Sequence, residues 1–71
     1  MARDYERDYR EIATFAGDYI GKPAIECIDA YAEKRKIVSH RAGKVFWDKV
    51  DKGEIQIYTV DGRIYIKAIR G

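Results

Sequence analysis

The chain has no asparagine and only one residue each of glutamine (Gln56), serine (Ser39), histidine (His40), cysteine (Cys27) and proline (Pro23). A single cysteine excludes an internal disulfide and any zinc site built from several thiolates. One histidine, with no carboxylates at matching spacing, does not complete a metal site, so neither a metal nor any other cofactor is expected. Each of the three potential nucleophiles or bases has a structural use: Ser39 as a helix cap, Cys27 at the edge of a core face, His40 on a helix border. The segment GDYIGK (residues 17–22) lacks the spacing of a Walker phosphate loop. Catalysis is therefore not expected. No apolar run approaches the roughly 20 residues of a membrane span. The opening MARDYERDYRE is charged where a secretory signal would be hydrophobic. These absences lead to the expectation of an intracellular protein, cytoplasmic or nucleoid-associated, with no membrane partner.

What is present is charge. Asp, Glu, Lys and Arg make up 37% of the chain, with thermolabile amides almost missing. That pairing is expected in proteins from hot environments and suggests a thermophile, an archaeon or one of its viruses. Seventy-one residues, 46% of them hydrophobic, suffice for one small folded domain. No repeat, linker or low-complexity segment divides it.

The net charge of +2 is unevenly spread. Residues 1–35 hold eight acidic and six basic side chains, a net of −2, and residues 36–71 hold four acidic and eight basic, a net of +4. Between Lys34 and Trp47 stand Lys34, Arg35, Lys36, Arg41, Lys44 and His40, with no acid among them. A local block of this kind is an electrostatic footprint for phosphate. It also suits the negative end of a helix dipole, the bland explanation for Lys34, Arg35 and Lys36.

Helical spacing organises the first two-thirds of the chain. Tyr5, Tyr9, Ile12, Ala13, Ala16, Tyr19 and Ile20 form one apolar stripe, predicting a helix from about Asp4 to Ile20 that Gly21 stops. Phe15 falls on its edge, and Glu6–Arg10 and Arg7–Glu11 are i, i+4 pairs. Pro23 is placed at the first position of a second helix. Its buried face is Ala24, Ile25, Ile28, Tyr31 and Ala32, with Cys27 at the border. Its outer face, Glu26, Asp29 and Glu33, is expected to point away from any nucleic acid. Ile37 and Val38 connect to a third helix, Ser39 to Lys52, with Ser39 as N-cap and Gly53 as its left-handed stop. Ala42, Gly43, Phe46 and Val50 are its buried stripe. Val45 and Trp47 are its borders, Trp47 as a half-buried edge of the core. His40, Arg41, Lys44, Asp48 and Asp51 lie opposite.

After Gly53 the period becomes two. Glu54 to Val60 and Arg63 to Arg70 flank Asp61-Gly62, a strong signal for a hairpin with a type I′ turn. The implied register pairs Val60 with Arg63, Thr59 with Ile64, Tyr58 with Tyr65, Ile57 with Ile66 and Ile55 with Ala68. Ile55, Ile57, Ile64, Ile66 and Ala68 then share the inner face, and Tyr58, Tyr65, Gln56 and Lys67 the outer one.

The predicted class is α+β: a three-helix, helix-turn-helix core followed by an antiparallel hairpin. This order, with VDKGEIQIY and VDGRIYIKAI at its junctions, resembles a winged-helix domain over nearly the whole chain. The resemblance implies that Ser39–Lys52 is a recognition helix for the DNA major groove and Gln56–Lys67 the wing, with Arg63 beside its tip. Two departures stand out. The inter-helix turn RKIV has no glycine, and Gly21-Lys22 leaves no room for the short strand many winged helices carry there. The residues expected to contact nucleic acid are Lys34, Arg35, Lys36, Ser39, His40, Arg41, Lys44, Arg63 and Lys67. Double-stranded DNA is the expected partner, with RNA left open, for a transcriptional regulator or a chromatin or viral factor. The alternative is a protein-interaction module or accessory subunit, since winged helices serve both uses. A homodimer through Tyr5 and Tyr9 of the first helix is a further expectation.

Overall fold

A computed structural model describes residues 2–70, with side chains from Tyr5 onward. Three helices are followed by a two-stranded antiparallel hairpin: α1 (Ala2–Ala16), α2 (Ala24–Arg35), α3 (Ser39–Asp51), β1 (Ile55–Val60) and β2 (Arg63–Ile69). The order and the class are those expected, and the order is consistent with a winged-helix topology.

The first helix ends sooner than its stripe. After Ala16 the chain tightens into a 3₁₀ turn, Gly17–Tyr19, and Gly21 turns it with φ of 86°. Ile20 consequently leaves the apolar face and is 51% exposed. Of the two expected pairs, Arg7 and Glu11 meet at 3.0 Å, whereas Glu6–Arg10 is not among the ion pairs of the described residues.

Two caps differ from expectation. Pro23 is the residue before α2 rather than its first, with extended ψ of 139°. Val38, not Ser39, caps α3: its carbonyl accepts from Arg41 and Ala42 N–H at 3.1 Å each. Ser39 is already helical, and its hydroxyl donates to Asp29 Oδ1 at 3.3 Å. That contact ties α3 to α2 and places the exposed Asp29 beside the start of α3.

The missing turn glycine is replaced by a lysine. Lys36 takes the left-handed conformation (φ 57°, ψ 45°), Ile37 N–H reaches Ala32 O at 2.9 Å and Lys36 N–H reaches Glu33 O at 3.3 Å. These bonds form a Schellman end with Ile37 packed on the core. Gly53 closes α3 in the same way at φ 82°, as expected, with Glu54 N–H bonded to Lys49 O at 3.1 Å.

In the hairpin the expected register holds from Val60–Arg63 to Ile57–Ile66, and Asp61 and Gly62 both have positive φ, as a type I′ turn requires. It then breaks. A bulge beside Gln56 pairs Gln56 with Ala68 and Ile55 with Ile69, not Ala68. The extra residue brings Ile69, which strict alternation would turn outward, against the core. A further strand-like contact forms where none was expected. Gly21 N–H donates to Ile66 O at 2.8 Å, Ile66 N–H donates to Lys22 O at 3.0 Å, and Pro23 bridges Tyr65. The inter-helix segment thus covers part of the outer edge of β2.

The core is Ile12, Ala16, Ala24, Cys27, Ile28, Tyr31, Ala32, Ala42, Val45, Phe46, Ile55 and Ile66. Cys27 and Val45 lie inside it rather than on borders, and burial pushes the Cys27 thiol up to about 11. Ile25, assigned to the buried face of α2, is 60% exposed, and Ile64, near the hairpin tip, is 36% exposed. Both lie toward the same groove beside α3.

Candidate nucleic-acid interface

The outward face of α3 follows the spacing i, i+4, i+7, i+11 through His40, Lys44, Trp47 and Asp51, all exposed. Trp47 is partly covered at the edge of the core, as expected, and its exposed side belongs to this face. Its indole stands edge-on to Phe46 at 5.0 Å between ring centres, and the residue is 36% exposed. His40 and Lys44 flank a hollow of about 400 Å³ with Tyr5 and Arg41. Towards α2 they share a second hollow, of about 470 Å³, with Ile25, Ser39 and Trp47. Trp47 and Ile25 then line, with the exposed acid Glu26, a groove of about 520 Å³ whose far wall is the hairpin tip, Gly62, Arg63 and Ile64. Exposed cations at the start of α3 are thereby linked through an apolar floor to Arg63.

The nine basic and polar residues singled out from sequence do not act as one patch. Ser39, His40, Arg41 and Lys44 are together, with Arg63 across the groove. Lys36 is exposed at the inter-helix turn, and Lys67 is exposed on the hairpin. Lys34 lies 5.2 Å from the ring centre of Phe15, away from this face. Among the described residues, Lys36, Lys44, Arg63 and Lys67 make no ion pair.

Arg35 and Arg41 are engaged inside the molecule. Asp8, in α1, is wholly buried. Its Oδ1 accepts from Arg35 Nε at 2.6 Å and from the Tyr31 hydroxyl at 2.9 Å. Arg41 Nη2 lies 3.7 Å from Oδ2, which has no hydrogen-bond partner. The bond to Asp8 holds the Arg35 guanidinium above its ordinary range, and burial followed by the same carboxylate raises the Tyr31 phenol strongly. One buried carboxylate therefore ties three helices together and draws both arginines back from solvent.

Asp8 was not singled out from sequence, although it sits three residues after Tyr5 and four before Ile12, on the apolar stripe of α1. An acid at such a position is a readable signal for a buried ion pair. The start of the same stripe is also covered. Tyr5 donates to Asp48 Oδ2, a bond that raises the phenol's affinity for its proton, and the buried Lys49 ammonium sits 4.0 Å from the ring centre of Tyr9. Lys49 also reaches Glu54 Oε2 at 2.9 Å. Tyr5 and Tyr9 are thus half-buried against α3.

No protein-family model, curated protein or solved structure matches this chain. Among the described residues, no cluster of three His, Cys, Asp or Glu side chains could hold a metal ion, and no helix is long and apolar enough to cross a membrane.

Proposed function

We propose that the chain is a winged-helix domain that binds duplex DNA, with α3 in the major groove and the hairpin along the backbone. The observation that carries this reading is the continuous outward surface of α3. Among the described residues His40 and Lys44 make no ion pair, Trp47 and Asp51 follow on the same face, and Arg63 closes the groove from the hairpin side. Lys44 and Arg63 supply phosphate contacts at two ends of one surface, and Trp47 with Ile25 offers an apolar floor for sugar or a thymine methyl. The edge contact of Gly21–Pro23 with β2 supports the same topology. Arg41 is drawn partly inward, with one nitrogen 3.7 Å from Asp8, and the direct contacts fall to Lys44, His40, Lys36 and Arg63. A transcriptional or chromatin role suits a domain of this kind.

The test is a salt titration of binding to a labelled duplex. Neutralising about three phosphates gives a fall of roughly 2.7 log units in affinity per log unit of salt. The double variant Lys44→Glu, Arg63→Glu should abolish binding while leaving the thermal transition nearly in place, because both side chains are exposed. Absence of duplex binding at low salt would end the DNA reading. It would favour the second one, a protein-interaction module, for which the specific observation is the exposure of Ile25, Trp47 and Ile64 along a single groove.

A further inference from the structure

We propose that the free edge of β1 pairs with β1 of a second copy of this chain, antiparallel, across a two-fold axis at Tyr58. The inference does not rest on DNA binding. The two edges of the sheet are not alike. The outer edge of β2 is partly covered by Gly21 and Lys22, which bond the backbone of Ile66. The edge of β1 has no such cover. Val60 and Arg63 close the two-residue turn, so Val60 and Tyr58 exchange bonds with β2, and the alternation of an antiparallel ladder turns the N–H and C=O groups of Ile57 and Thr59 outward. The same alternation turns the Ile66 groups outward on β2, where Gly21 and Lys22 do meet them. Among the described residues, no other backbone group takes up those of Ile57 or Thr59.

Edges of this kind are ordinarily protected by a charge, a proline, a bulge or a covering segment. β1 reads IQIYTV, with no charged residue and no proline, and its register is regular from Ile57 to Val60. Tyr58 is 39% and Val60 48% exposed, beyond the part of the hairpin that the helices cover.

The self-complementarity of the strand selects a second copy as the occupant. Outward groups must meet outward groups, and a two-fold axis at Tyr58 sets Ile57 against Thr59 of the second copy and Gln56 against Val60. No like charges meet, because the strand has none. Tyr58 meets its own counterpart in a non-hydrogen-bonded pair, the closer of the two spacings. It already stacks on Tyr65 with ring centres 5.5 Å apart and planes at 19°, so the pairing extends two stacked rings to four on one face of a four-stranded sheet. An axis at Ile57 would set Tyr58 against Gln56 and bring the two helical bodies closer.

Light scattering across a concentration series tests the idea on the unmodified chain, with the mass expected to rise from 8.2 kDa towards twice that value. Thr59→Pro removes only an outward N–H, so it should keep the hairpin, by circular dichroism, and remain monomeric. Thr59→Lys, which retains the backbone donor but sets a charge against Ile57 of the second copy, should shift the midpoint of association upward. Tyr58→Cys should cross-link into a dimer on mild oxidation much faster than Lys52→Cys, because a non-hydrogen-bonded pair fits disulfide geometry and the native Cys27 is fully buried. A monomer throughout the concentration range overturns the proposal. So does a dimer that survives both Thr59 variants, which would put the contact elsewhere.

Discussion

Removing the Asp8 carboxylate should be among the most damaging single changes in this protein, although the residue lies on the first helix, away from the proposed interface. Asp8→Ala takes the acceptor from the Tyr31 hydroxyl and the counter-charge from Arg35 and Arg41. A buried hydroxyl left without a partner costs about 1–3 kcal/mol. The two guanidinium groups keep some access to water, which lowers their share below that of a fully buried pair. The total is about 3 kcal/mol, against a global stability of roughly 4–11 kcal/mol for a domain of this length. At about 4–8 °C per kcal/mol, the thermal midpoint should fall by about 12–24 °C. Calorimetry or thermal circular dichroism measures it directly. Two companion variants separate the contributions. Asp8→Leu with Tyr31→Phe removes donor and acceptor together and should recover part of the loss. Arg41→Ala, whose nitrogen is 3.7 Å from Oδ2, should cost no more than about 1 kcal/mol. If Asp8→Ala unfolded within about 0.5 kcal/mol of the parent, the carboxylate would not be the tie between the helices.

Three further outcomes follow from local features. Lys36→Gly should raise stability by about 0.5–1 kcal/mol in denaturant titration, because the left-handed position no longer carries a Cβ, while weakening duplex binding through the lost cation. Gly62→Ala should destabilise by about 1 kcal/mol: the space around the added methyl is open, so the cost is the positive φ of 79° alone. Cys27 should resist thiol reagents at pH 8 until the chain unfolds. Its folded value near 11 exceeds the ordinary 9.0, so between these pH values the unfolded chain has released a proton that the folded chain retains. Stability therefore falls as pH rises from about 9 to 11, and Cys27→Ala should flatten that slope, leaving a remainder from the raised Tyr31 phenol, which acts in the same direction.

The sequence by itself determined whatever is decided within one helical turn or one hairpin. The stripe of α1, the left-handed stop at Gly53 and the Asp61-Gly62 turn with its four adjacent pairs all follow from neighbours three or four residues apart, or directly across a turn. Tertiary structure decided the rest. Ile25 is apolar and in phase with the buried face of α2, yet α3 and the hairpin tip bound an open groove beside it and leave it exposed. The bulge near Gln56 exists because the core takes Ile69 in preference to Ala68, a choice visible only once the helices stand beneath the sheet. Arg35 and Arg41 read as free cations in sequence because the stripe of α1 reveals a buried acid but not its partners, 27 and 33 positions away. Burying a carboxylate on α1 needs Tyr31 and Arg35 of α2 to donate to it and Arg41 of α3 to stand beside it, and that convergence is a property of the packed helices, not of any one stretch.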